Sequence, residues 1–326
     1  MEIRVTRARK VFSDGKHNAF TGIAAAYGKV FITFRSGKNH MSLDGTIKVI
    51  TSMDMEAWQV VTEVRRQGGD LRDPKPVLFG KKLMVFFGER RGDKTLQSFV
   101  IQTSDGVNFD EPVPLRGIPE GRWLWHVQPF GNKLYGTAYC AKKGSSASLH
   151  ASDDGQTWEQ IGDFPVPGNE VYLDFDREGI MWSLIRDDDH GCIPTVCIAE
   201  PPYSSFRSAT RLPMRLQAPM IKRLEGGCVV VCRQWDEPGW LNIRTDLFWM
   251  EDGKENQRLR TLPSGGDTSY AGWLDLEKGR AIVSYYSSHE YKMDKPFANN
   301  AVVAQEQSQA DRLYAADIFL ADISYA

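Results

Sequence analysis

Six glycines fall on a beat of about fifty residues, and each sits between two apolar runs. They are Gly28, Gly80, Gly131, Gly179, Gly227 and Gly279, with spacings of 52, 51, 48, 48 and 52. Each precedes a run rich in β-branched and aromatic residues: KVFITFR, KLMVFF, KLYGTAY, IMWSLI, CVVVC and RAIVSYY. A glycine between two such runs reads as a hairpin turn, and self-similarity at this period signals a radial or solenoid repeat. Six turns on one beat predict an all-β, six-bladed β-propeller. The whole chain, 1–326, reads as one propeller domain, with a last-blade insertion near 287–315. The polar stretch from Asn299 to Ala315 is the one place where helix is conceivable. The final run ADIFLADI is placed to close the ring against the N-terminal strand.

A second repeat supports the first. SMDMEAW (Ser52 to Trp58), TSDGVNF (Thr103 to Phe109) and SDDGQTW (Ser152 to Trp158) share a hydroxyl, an aspartate two residues on, and an aromatic four residues later. PPYSSF, ending at Phe206, reads as a decayed fourth copy. Such segments are turns in which Ser and Asp bond local backbone amides and the aromatic packs between sheets. They are expected to carry structure rather than chemistry.

Composition narrows the function. With 40 basic and 42 acidic residues the formal net charge is -2, which leaves no basic footprint for nucleic acid. The start, MEIRVTRARKVF, has no apolar run, and no window resembles a membrane helix. A cytoplasmic protein with five reduced cysteines is the expectation. No close histidine pair has ligand spacing, so neither a metal nor another cofactor is expected.

A strand rises about 3.3 Å per residue, so residues equally far before and after a hairpin turn share one end of the blade. Counting outward from the glycines gathers Asp73, Trp123, Glu170, Tyr270, Arg35, Arg186, Arg233 and Tyr286 at the end opposite the turns. The connections SGKNHMSLD, GERRGDK, RDDDHG and YSSHEYKMD share that end. Propellers bind ligands where strand ends converge on the channel, and buried arginines there call for an anion or a carboxylate.

These residues resemble the sialidase family of six-bladed propellers. The aspartate turns look like that family's Asp boxes, one residue shorter. NEVYLDFDREGIMWSLIR is similar to the segment that carries a glutamate and, one strand later, an arginine that grips the substrate carboxylate. SYAGWLDLEKGRAIVSYY is similar to the segment with the nucleophilic tyrosine. The resemblance therefore implies Tyr270 as nucleophile, Glu170 as its base, Asp44 as acid, and Arg186, Arg233 and Arg35 as anion holders. The family's opening arginine is absent, since the place reads HNAFTG. The wider pattern is similar to that of sialidase-like proteins of bacteria. Asp73, in an Arg-Asp-Pro triplet, resembles a transition-state-stabilising aspartate of furanosidase propellers. His40, Asp267, Tyr286 and His289 are further candidates to bind substrate. Trp125, with Trp123 and His126, offers either a sugar-stacking face or core packing.

The expected function is an exo-acting, sialidase-like glycoside hydrolase on an acidic or unusual sugar. The alternative is a carbohydrate-binding propeller without catalysis. A protein-interaction propeller ranks last, because the loops at the channel mouth are charged. The expected partner is a carbohydrate, with no nucleic acid and no membrane; the sequence leaves the oligomeric state open.

Overall fold

A computed structural model describes residues 2–93, 96–140, 142–237, 241–251, 256–277, 279–291 and 315–326. These residues form 24 strands in six four-stranded antiparallel sheets. The architecture is the six-bladed β-propeller that the glycine beat predicts. The inferred last-blade insertion and its polar stretch fall almost wholly outside the described residues.

Each blade runs from the channel outward in chain order. The innermost strands are His17–Ala26, Gly69–Phe79, Trp123–Phe130, Val171–Phe175, Gln217–Leu224 and Thr268–Glu277, here blades 1 to 6. Each touches its two neighbours around the ring. Blade 6 is closed by both ends of the chain. Asp317–Tyr325 is its third strand and Ile3–Phe12 its outermost one, paired antiparallel with Ile3 opposite Tyr325. The ring is thus held by eight paired positions between the two terminal strands.

The core is divided into layers between blades. Cys228, Val230 and Cys232 face blade 4, while the alternate Val229 and Val231 face blade 6. Successive side chains on a strand point to opposite faces, and here both faces are covered. That is why the run CVVVC is continuously apolar instead of alternating. None of the five cysteines forms a disulfide.

The hairpin turns are where the beat puts them, with one shift. Gly28, Gly80, Gly131, Gly179 and Gly279 have φ between 59° and 84°. In blade 5 the left-handed position is Gly226 (φ 78°), and Gly227 opens the next strand. The aspartate turns lie at the same end. Asp154 Oδ1 accepts from the amides of Gln156 and Thr157, both at 2.7 Å, while Ser152 Oγ accepts from Gly155 N at 2.8 Å. Asp105 and Asp54 repeat the pattern on Val107 and Asn108, and on Glu56 and Ala57. Trp158 is buried between blades 2 and 3. These turns consume their own polar groups.

The other end is built differently. In blades 1, 2, 3, 5 and 6 the innermost strand carries one more residue than its partner near the channel mouth. Phe20, Asp73, Ala218 and Tyr270 sit in these bulges with φ of 61°, 51°, 50° and 50°. A non-glycine residue in the left-handed region costs free energy, and bulges re-aim side chains beside sites. Blade 4 pairs without a shift.

Candidate functional site

At the bulged end of the blades lies a cavity of about 400 Å³, which the blade 6 bulge enters through Tyr270. Its inner wall is Tyr270, Glu170 and Arg186, and Trp123 and Tyr139 form an aromatic side. The volume suits one or two sugar units.

Tyr270 enters from its bulge in blade 6 and meets two groups of blade 4. Its hydroxyl donates to Glu170 Oε1 at 2.6 Å and accepts from Arg186 Nη1 at 3.1 Å. Arg186 Nη1 also lies 2.8 Å from Glu170 Oε2. Glu170 immediately precedes the innermost strand of blade 4 and Arg186 follows the next strand. The two are tied by an Arg186 N to Glu170 O bond of 2.9 Å. Burial raises the phenol well above its ordinary value, and the Glu170 charge raises it further, against Arg186 and Arg233. The tyrosine is therefore protonated at neutral pH and has a base in contact.

Asp73 lies in the same field; it is buried and does not itself line the cavity. Burial pushes its carboxyl up to about 6, against the pull of Arg72 and Lys75. Its charge is felt at Tyr270 and Tyr139, and Glu170 is felt at Asp73. Among the described residues no group donates a hydrogen bond to it. Arg72 instead bonds His40 O and Asp70, at 2.8 and 3.0 Å, and lies over the Phe20 ring.

A second network adjoins the first and is buried, reaching the cavity through His40. Asp267 Oδ1 accepts from Tyr286 Oη at 2.6 Å and Arg233 Nη2 at 2.9 Å. Its Oδ2 meets His17 Nε2 at 2.7 Å and His40 Nδ1 at 2.5 Å. Burial drives His40 down to about 4 and lowers His17, so both rings are neutral at pH 7. Burial works against the Asp267 carboxylate, yet His40 and His17 hold it well below its ordinary range. Two imidazoles and a carboxylate within 4.8 Å are a possible metal donor set. Arg233 already occupies the same carboxylate, and Arg35 and Arg72 add positive charge beside His17. The geometry therefore supports a hydrogen-bond cluster better than a cation site. The sequence separation between His17 and Asp267 hid this cluster, and His17 was not among the candidates.

The remaining expected residues divide by position. His40 lines the cavity as well as holding Asp267. Arg35 is fully buried and spends its donors on Asp70, Asn39 O and Ser42 O. Tyr286 and Arg233 are buried in the second network, behind the cavity wall. Asp44 lies in an exposed turn, bonds Lys38 N at 3.2 Å and does not line the cavity. Trp125 is 1% exposed and packs under Tyr270 and beneath the Lys75 ammonium, so it is core; Trp123 is the tryptophan that reaches the cavity. His289 bonds Ser287 Oγ and lies on Phe319, away from the cavity. The sequence reading also passed over Asp188, in the connection RDDDHG. It holds Arg186 through Nε and Nη2, both at 2.9 Å.

No family model and no curated protein matches the chain. Solved structures do. A protein of unknown function from Dyadobacter fermentans superposes with a TM-score of 0.79 at 14% identity, covering 99% of each chain. The Hadza microbial sialidase Hz136 gives 0.65 at 14% identity, over 84% of this chain and 64% of that one. A GH43_1 enzyme from Xanthomonas citri, solved with xylotriose, gives 0.52 at 10% identity, over 98% and 90%. At these identities the likeness establishes the fold, a propeller shared with glycoside hydrolases.

Proposed function

We propose that the protein is a glycoside hydrolase whose nucleophile is Tyr270. The observation that carries this reading is the 2.6 Å contact of the Tyr270 hydroxyl with Glu170, at the wall of a sugar-sized cavity. A phenol with an ordinary pKa of about 10 is a weak nucleophile unless a base takes its proton. In the proposed reaction the phenol oxygen attacks the anomeric carbon and Glu170 accepts the phenol proton. Asp73 protonates the departing glycosidic oxygen. Water then attacks the glycosyl–tyrosine bond, with Asp73 taking its proton and Glu170 returning one to the phenol. Asp73 replaces Asp44 as the proposed acid, because it is buried within the electrostatic field of the couple, whereas Asp44 is exposed, and its pKa of about 6 keeps it protonated in mild acid. Arg186 holds both Tyr270 and Glu170 in place.

Retention of a carbohydrate-binding role without turnover is the second reading. It is favoured by the arginines' existing pairing with internal carboxylates, which leaves the site stable without substrate.

The test is hydrolysis of a panel of aryl glycosides by the wild type, Tyr270→Phe and Asp73→Asn, near pH 6. Turnover lost in both variants supports the mechanism. Turnover that survives Tyr270→Phe removes the tyrosine, and no turnover on any glycoside moves the account to the binding role.

A further inference from the structure

The arginines around the channel mouth are already bound to carboxylates of the protein. Arg35 takes one oxygen of Asp70 at 2.6 Å, and Arg72 and Arg90 take the other at 3.0 and 3.2 Å. Arg233 holds Asp267 at 2.9 Å. Arg186 is the arginine at the catalytic wall, and its outer edge is filled by Asp188. Nε reaches Asp188 Oδ1 and Nη2 reaches Oδ2, each at 2.9 Å. Two parallel N–H bonds to one carboxylate are the means by which a guanidinium grips an anionic ligand. Here an internal aspartate occupies that grip.

Asp188 is held firmly. Gln217 Nε2 donates to its Oδ1 at 2.9 Å and Asn169 Nδ2 to its Oδ2 at 3.0 Å. Its side chain is 35% exposed and lines the cavity beside Arg186, where it occupies the Nε and Nη2 edge that a ligand would need. Burial works against its charge, but Arg186 holds the carboxyl down at about 2, ionised at any working pH.

We propose that the site takes an uncharged glycosyl unit, and that Asp188 sets this choice by filling the carboxylate seat on Arg186. The inference rests on the sugar-binding part of the function proposed above. An acidic sugar would have to expel Asp188 from a seat of four N–H bonds and the Cys192 thiol, or lie against it, with Glu170 adjoining. Like charges brought together out of water exclude a ligand more effectively than missing contacts do. Arg72 and Arg90 also line the cavity, but they are turned onto Asp70, which they share with Arg35; among the described residues the lysines of the lining, Lys142 and Lys143, are exposed and screened by water. Tyr270 places no demand on substrate charge, since its base is Glu170.

The experiment is calorimetric titration of wild type and Asp188→Asn with neutral hexoses and pentoses, the matching uronic acids, and sialic acid. The wild type is expected to bind a neutral sugar at least tenfold more tightly than its uronic acid. Asp188→Asn keeps the side-chain size and frees the guanidinium charge, and is expected to shift that ratio at least tenfold toward the acid. A wild type that prefers a uronic or sialic acid overturns the inference, whatever the variant does. So does a ratio that the substitution leaves unmoved in a folded variant, and so does a wild type that binds none of the sugars. Binding of a neutral sugar without hydrolysis of any glycoside would sustain this inference and remove the hydrolase reading instead.

Discussion

Two neighbouring networks at the channel mouth use nearly the same parts. One joins Arg186, Tyr270, Glu170 and Asp188; the other joins Arg233, Tyr286, Asp267, His17 and His40. They differ in access. Tyr270, Glu170, Arg186 and Asp188 all border the cavity, whereas of the second network only His40 does, and each oxygen of Asp267 has two partners. An arginine–tyrosine–carboxylate set is thus no sign of chemistry by itself. The same set braces the wall when it is buried, and is placed to meet a ligand when its members border a cavity.

The comparison can be broken from either side. The largest effect on stability belongs to the buried network. Asp267→Ala leaves a buried arginine without its counter-ion, a class of change that costs about 3–5 kcal/mol. Chemical denaturation should show a loss of that size or no folded protein. On the open side, Glu170→Gln removes the base and should lower turnover on the order of 10²–10⁴-fold with the fold intact, measured by initial rates and circular dichroism.

Asp73 has an effect of opposite sign on stability. Its carboxyl is raised from 3.8 to about 6 in the folded protein. The folded state therefore binds the proton more tightly. That stability is whole below about pH 4 and is lost as pH rises through about 6. Asp73→Asn removes the buried charge and should stabilise the protein at pH 7.5 by up to about 3 kcal/mol. Thermal melts against pH test this. The rate should fall above about pH 6 in the wild type, where the acid loses its proton, and Asp73→Asn should abolish that limb along with most turnover. The smallest effect is at the far end of the molecule. Asp154→Ala removes two backbone hydrogen bonds from an exposed turn, and should cost about 1 kcal/mol with turnover unchanged.

The same contrast explains what could be read from the residues in order. The glycine beat was sufficient for the fold, because a two-residue turn leaves a local signature at each repeat. Counting outward from the turns found Glu170 and Arg186 as neighbours because blade 4 pairs without a bulge. In blade 6 the same count placed Tyr270 opposite Tyr286, but the bulge puts Ser269 there and turns Tyr270 toward the cavity. In blade 2 the bulge likewise leaves Asp73 without a facing partner, between Arg72 opposite Gly88 and Lys75 opposite Phe86. A bulge adds one residue and leaves no mark on a hydrophobic pattern. Asp44 shows the limit of likeness at this level, since its loop position matched while its side chain serves the loop. The cluster of His17, His40 and Asp267 forms only when the ring closes, so no local spacing announces it.

The most direct measurement sets the two tyrosines against each other: turnover of Tyr270→Phe and Tyr286→Phe on the best glycoside, corrected for folded fraction. The account predicts a loss on the order of 10³-fold or more for Tyr270→Phe with its melting temperature little changed. For Tyr286→Phe it predicts lower stability and turnover within about threefold of wild type, the loss of one buried hydrogen-bonding group costing roughly 1–3 kcal/mol. Equal losses of turnover in the two variants, or full activity in Tyr270→Phe, would contradict the division between an open, reactive network and a buried, structural one.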